Sequence, residues 1–177
     1  DVDNPLIVTD AALVKSGTVA LALEHLGERT YKIFDRMLPD PEISIVEDCM
    51  QAYRDGGHDG LIGLGGGSAI DIAKSVAAYA GYHGALEDLF GVDQVPRKGP
   101  PLIAIPTTAG TGSEVTNVAI LSDKAAQLKK GIVSDYLLPD VALISPQMTL
   151  TCPRGVTAAS GVAALVHAIE SYLSLNA

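Results

Sequence analysis

The sequence has no tryptophan, and aromatic residues make up only 5% of it. So thin a supply of flat side chains argues against a stacking platform for single-stranded nucleic acid. Basic residues are also scarce: 12 Lys and Arg against 21 Asp and Glu give a net charge of −9. A chain of that sign is a poor ligand for the phosphate backbone, so no nucleic-acid partner is expected. There are only two cysteines, Cys49 and Cys152, and neither sits in a CxxC or Cys/His pattern. A disulfide framework and a thiolate zinc site are both poorly supported, and buried thiols in a cytoplasmic protein are the simpler reading. No uninterrupted apolar run reaches roughly 18 residues, so no membrane span is expected. The opening Asp1-Val2-Asp3-Asn4-Pro5 does not read as a signal peptide and lacks an initiator Met.

What is present is apolar and turn-rich. Hydrophobic residues are 47% of the 177, with 18 glycines and 10 prolines. The length suits one compact domain and part of a second. Short apolar runs at 6–8, 31–35, 60–64 and 102–105 read as strands. Helical patterns at 19–26, 43–54 and 68–80 fall between them. Such βαβαβα alternation predicts an α/β fold, a doubly wound Rossmann-like parallel sheet. Further strands are expected at 115–121, 130–133 and 141–144. Residues 158–173 carry a helical stripe of Val162, Leu165, Val166, Ile169 and Leu173. A boundary at 152/153 divides a dinucleotide-binding domain, 1–152, from the start of a helical domain, 153–177.

Two loops carry the chemistry. Gly65-Gly66-Gly67-Ser68 lies between a buried strand and a helix, where backbone N–H groups and a helix N-terminus can meet a phosphate. Glycine permits close approach and positive φ there. With Gly63 the run is Gly-x-Gly-x-x-Ser, short of the dinucleotide fingerprint, and no acidic residue ends a strand about 20 positions on. A purely structural turn is the competing reading. Asp71 and Lys74 follow at i and i+3 on the same helix face. They are either a surface ion pair or a device that orders the loop or reaches a ligand. The second loop, Pro106-Thr107-Thr108-Ala109-Gly110-Thr111-Gly112-Ser113-Glu114, places four hydroxyls and two glycines in seven residues. It too follows a strand, and open α/β sheets bind ligands outside the C-terminal strand ends.

Three motifs together resemble the iron-containing alcohol dehydrogenases. They are Gly-Gly-Gly-Ser-x-x-Asp-x-x-Lys at 65–74, Pro-Thr-Thr-Ala-Gly-Thr-Gly-Ser-Glu-Val-Thr at 106–116, and Ala-x-x-Gly-x-x-Ala-Leu-x-His-Ala-Ile-Glu at 158–170. The resemblance runs over essentially the whole chain. It implies a dehydroquinate synthase-like fold followed by an all-helical domain, with divalent iron or zinc in the cleft between. The activity implied is reversible hydride transfer between a nicotinamide cofactor and a small alcohol or aldehyde. Gly66, Gly67 and Ser68 would hold the pyrophosphate, with Asp71 beside them. Thr107, Thr108 and Ser113 would line the pyrophosphate and nicotinamide ribose. Thr116 and Val118 would flank the nicotinamide, and Lys130 would reach its ribose. Asp35 would meet the adenosine ribose; a carboxylate there accepts from a 2′-OH and repels a 2′-phosphate, favouring NAD over NADP.

The resemblance also implies metal ligands, an Asp and a His four residues apart plus two later histidines. His167 stands at the His position, but Ala163 stands at the Asp position, and the later histidines would fall past residue 177. Ser145-Pro146 replaces a common Asp-Pro. The remaining histidines, His25, His58 and His83, read as surface residues. Two other functions stay open: a noncatalytic nucleotide-binding protein, and a metal-independent reductase of the same fold. A homo-oligomer is left open as well.

Overall fold

The computed structural model describes residues 2–24, 26–37, 40–124 and 126–175. The chain opens with β1 (Pro5–Val8), buried along its whole length. Asp10 then caps α1 (Ala11–Lys15), its carboxylate accepting from the Leu13 N–H at 2.9 Å. α2 (Thr18–Leu23) starts after Gly17, whose φ of 81° turns the chain. β2 (Lys32–Phe34), α3 (Ile43–Asp55), β3 (Gly60–Gly65) and α4 (Gly67–Ala80) follow. Next come β4 (Gly91–Val92) and β5 (Leu102–Pro106). β6 (Val118–Asp123), β7 (Leu128–Val133), β8 (Val141–Ala142) and α5 (Arg154–Leu173) complete the elements.

Five strands form one sheet in the order β2-β1-β3-β5-β8, with every pairing parallel. Parallel strands need crossovers, and the helices that make them cover both faces. The period of two sorts the apolar residues. Leu6, Val8, Leu61 and Leu102 pack with Val46, Ile72 and Val76 on the α3/α4 side. Ile7, Ile62, Leu64 and Ile105 pack with Val19 and Leu23 on the α2 side. Truncating a fully buried position such as Leu6 or Leu61 to alanine costs about 2–5 kcal/mol. A three-stranded sheet, β4-β7-β6, lies apart from the main one.

The doubly wound parallel sheet matches the expectation from sequence; the element ends depart from it. The helix expected at 19–26 ends at Leu23. The strand expected from residue 115 starts at Val118, because Ser113–Val115 forms a 3-10 turn after left-handed Gly112. The strand at 141–144 shrinks to two residues. The last helix begins earlier, at Arg154. β4 and α1 are too short for a periodicity to reveal.

His58 is not a surface residue. It is buried at 8% exposure, and its Nδ1 lies 2.9 Å from the Asn4 carbonyl. His83 is exposed, and His25 lies outside the described residues. Cys49 is buried, and burial, with Asp48 beside it, pushes its thiol up to about 12; Cys152 is only half-buried. By length and composition α5 is long and apolar enough to cross a membrane, with 20 residues and a mean hydropathy of 1.3 over its best window.

Candidate nucleotide-binding site

Strand order fixes where the site falls. From β1 the chain goes to β2 on one side and then returns to β3 on the other. Ligands of open α/β sheets bind at such a reversal, outside the carboxyl ends of the strands. The loop leaving β3 is the glycine loop, and the loop leaving β5 beside it is the hydroxyl loop.

The two loops face each other across a narrow gap. The Thr107 N–H donates to the Gly65 carbonyl at 2.9 Å, which continues the β3–β5 register beyond the strands. Gly65 has φ 156°, in the region that favours glycine, and a Cβ there would lie 2.8 Å from the Ala69 methyl. Gly66 is different, because its φ of −72° suits any residue. A Cβ on Gly66 would project toward Thr108 and lie 3.6 Å from its hydroxyl. One on Gly67 would lie 2.8 Å from the Thr111 hydroxyl. Gly66 is the N-cap of α4 and offers no side-chain cap, and no acidic residue stands in the first turn. The first N–H groups of a 14-residue helix therefore open toward the gap between the loops.

Asp71 and Lys74 do not form a surface pair. Lys74 is fully buried. Its ammonium donates to Ser113 Oγ at 3.1 Å, Thr116 Oγ1 at 3.1 Å and the Val118 carbonyl at 3.0 Å. Those three acceptors use all three of its donors. Asp71 is half-buried. It accepts from Ser113 Oγ at 2.5 Å and from the Ile120 N–H at 3.1 Å. Burial pulls Lys74 down to about 8 from 10.5, against the opposing pull of Asp71 and Glu114. Burial likewise raises the Asp71 carboxyl, outweighing Ser113, Ile120 and Lys74. Desolvation thus exceeds the attraction within the pair on both sides.

The other expected site residues lie on several elements. Ser68 lies in the first turn of α4, with Thr107 and Thr108 opposite it on the β5 loop. Asp35 is exposed immediately after β2. Two strand spacings, about 10 Å, separate β2 from β3. Thr116 and Val118 lie at the entry to β6, held by Lys74. Lys130, on β7, is engaged with Asp123 at 2.7 Å and lies 5.5 Å over the Phe90 ring. His167 is exposed on α5, and Ala163 precedes it by one turn. Among the described residues no cluster of three or more His, Cys, Asp or Glu forms a metal-binding group. The hydroxyl loop meets α5 at Gly110, where a Cβ would come within 2.6 Å of the Ser160 carbonyl.

Sequence reasoning missed the burial of Lys74. The signal was available: apart from Asp71, the other residues of 69–78 in α4 are apolar or small, so the helix is hydrophobic nearly all round. A lysine inside such a stretch must find internal acceptors.

Comparison with known proteins agrees with the fold. Residues 1–146 match the model of the iron-containing alcohol dehydrogenase family, and the chain belongs to that family. The chain is 44% identical to long-chain-alcohol dehydrogenase 1 of Geobacillus thermodenitrificans, over 97% of this chain and 44% of the relative. It is 38% identical to sulfoacetaldehyde reductase of Bilophila wadsworthia, over 97% of this chain and 45% of the relative. Among solved structures, a 1,3-propanediol oxidoreductase superposes with TM-score 0.93 at 36% identity, covering 99% of this chain and 47% of that one. The sulfoacetaldehyde reductase of Bifidobacterium kashiwanohense, solved with NAD+, gives TM-score 0.89 at 34% identity, covering 98% and 46%. The chain thus spans about half the length of the relatives it matches. α5 begins the helical domain of this architecture.

Proposed function

We propose that this chain is the nucleotide-binding part of an NAD-dependent oxidoreductase. It transfers hydride reversibly between nicotinamide and the carbinol or carbonyl carbon of a small alcohol or aldehyde. The observation that carries the reading is the gap between Gly66 and Thr108, at the sheet's reversal, open to the uncapped end of α4. The uncapped N–H groups and the hydroxyls there suit an anionic pyrophosphate. Gly66, Gly67 and Ser68 donate backbone N–H groups and a hydroxyl, while Thr107 and Thr108 close the opposite side. When bound, the dinucleotide supplies the hydride-carrying ring; this chain binds and orients it. Asp35 accepts from the adenosine ribose hydroxyls and selects against a 2′-phosphate. Thr116, Val118 and Lys130 border the nicotinamide end. We place the domain division at 152/153, and cytoplasmic location belongs to the same proposal.

The family's name implies iron, and the donor set present here does not fit a metal. His167 has a methyl, Ala163, one turn before it, and Glu170 is its nearest acidic neighbour in sequence on that face. A catalytic zinc, for comparison, takes about three protein ligands. That same substitution favours a second reading, a nucleotide-binding relative without turnover. Titration of NADH fluorescence tests binding, and NAD reduction with short alcohols separates the two readings. Absence of NADH binding at millimolar concentration would overturn both.

A further inference from the structure

The buried Lys74 ammonium reaches neither the glycine loop's backbone nor open solvent, yet every donor it has is spent on one segment. Ser113 and Thr116 bracket the 3-10 turn, and Val118 opens β6. Asp71, on the same helix, holds Ser113 from the other side and fixes the Ile120 N–H. Gly112, left-handed with φ 67°, is the joint between this segment and the threonines that face the glycine loop. We infer that Lys74 is a positioning residue for the nucleotide: its ammonium fastens the hydroxyl loop and the entry to β6 onto α4, and the ligand-facing groups are preorganised only while all three N–H bonds hold. The inference rests on the nucleotide-binding reading above.

The charge state of Lys74 is what the device depends on. A neutral amine keeps two donors, so one of the three acceptors is released, and the charge opposite Asp71 is lost. The ionisable groups acting on Lys74 are Asp71 on its own helix and Glu114 on the turn packed over it. β1, β3 and β5 carry no ionisable side chain. Asp123 at the end of β6 is engaged by Lys130, and Asp135 accepts from Asn117. On α3, Arg54 lies over Tyr79, and Asp48 pairs with Arg36. With burial holding Lys74 near 8, the third bond is lost over an accessible pH range.

The test is NADH affinity of the protein, by fluorescence titration, from pH 6.5 to 9.5. We expect a plateau below pH 7 and a fall of about three- to tenfold through pH 8, the worth of one net hydrogen bond. Folding stability must move the other way. Lys74 is depressed in the fold, so losing its proton between about 8 and 10.5 favours the folded state. Opposite movement of affinity and stability separates positioning from simple structural support. Lys74→Arg, whose guanidinium does not titrate in this range, should bind more weakly but with no step at pH 8. Ser113→Ala/Thr116→Val should weaken NADH binding in a folded chain and flatten the step, since the released acceptors are gone. Binding with a flat profile in the unmodified protein, or a step that survives Lys74→Arg or the double variant, would overturn the inference. No NADH binding at pH 7 would instead overturn the nucleotide reading itself.

Discussion

Gly66 and Thr108 stand across the gap from each other, so that a single methyl on Gly66 would lie 3.6 Å from the Thr108 hydroxyl and 3.7 Å from its methyl. That is ordinary contact, and the Gly66 backbone at φ −72° accepts any residue. The fold itself therefore does not require glycine at 66, and the proposed nucleotide gives the position its reason.

Gly66→Val should fold and fail to bind nucleotide. Its extra carbons fill the place the pyrophosphate takes. Circular dichroism should be unchanged, and NADH affinity should fall more than tenfold, about 1.4 kcal/mol or more. Gly65→Ala is the contrasting variant. Its φ of 156° and the 2.8 Å approach to Ala69 make it destabilising by about 1–3 kcal/mol, so its defect should appear in unfolding as well. Unchanged affinity in folded Gly66→Val would make the loop a structural turn.

In the proposed reading cofactor choice rests on Asp35, exposed just after β2. Its neighbour Arg36 pairs with Asp48 at 3.5 Å, both side chains being more than half exposed, and its guanidinium lies 5.6 Å over the Phe34 ring. Surface pairs of that kind hold a side chain weakly, worth about 0–1 kcal/mol. NAD should therefore bind better than NADP, and Asp35→Gly should narrow the preference by about tenfold, or about 1.4 kcal/mol, with Arg36 free to turn to the 2′-phosphate. Asp35→Gly/Arg36→Ala should lose much of that gain. Parallel titrations with NADH and NADPH decide it, and tighter NADPH binding by the unmodified chain would refute the assignment.

Stability should respond to pH at both ends. Asp59 accepts the N–H groups of Asp3 and Asn4 at 2.8 and 2.9 Å, and these hold its carboxyl below its ordinary 3.8. Partial burial pushes Asp140 up, but Lys98 at 2.6 Å and the Leu102 N–H at 2.9 Å outweigh it and leave it lowered. A lowered carboxyl contributes stability above its unfolded pKa and loses it as pH falls through the folded one. Asp71, raised by burial, works against these two on the acid side. On the alkaline side the lowered Lys74 adds stability from about 8 upward, while Cys49, raised to about 12, takes it away above its ordinary 9.0. Denaturant unfolding across pH 3 to 9 should show a loss below about pH 4 and a gain between 8 and 9. A flat limb between pH 8 and 9 would show that Lys74 keeps its proton in the fold.

The sheet was legible because its strands are runs such as Leu6-Ile7-Val8 and Leu102-Ile103-Ala104-Ile105, apolar on both faces and punctuated by glycine or proline. The two loops were legible because glycines and hydroxyls clustered after such runs. What escaped depends on tertiary partners. Ser113–Val115 turns instead of extending because Gly112 and the Lys74 acceptors govern it, while Val115 is β-branched and reads as strand. His58 is buried against the Asn4 carbonyl, a contact 54 residues distant in sequence. β4 exists only because Gly91–Val92 pairs with Ile132–Val133. Pairing of that range leaves no local pattern to read.

The last prediction concerns metal. The 177-residue chain should retain no iron or zinc after dialysis and should show no alcohol-dependent NAD reduction. His167 is exposed on α5, and the residue one turn before it is Ala163, whose methyl cannot ligate. Glu170 is three residues on and can share that face, which gives at most a two-donor surface site. One imidazole beside one exposed carboxylate binds divalent metal weakly and exchangeably, far from the about three protein ligands a catalytic zinc site uses. α5 has no buried residue; Ser160, Ala163 and Ala164 are half-buried, Ser160 beside Gly110 of the hydroxyl loop, and among the described residues that contact does not enclose His167 or exclude water from it. Ala163→Asp adds a carboxylate four residues before His167, on the same face. It should raise zinc affinity measurably, yet leave turnover at background, because positioning is still missing. Elemental analysis after dialysis, paired with an NAD-reduction assay on short diols, measures both. Stoichiometric metal together with turnover in the unmodified chain would mean that groups other than His167 complete a working site.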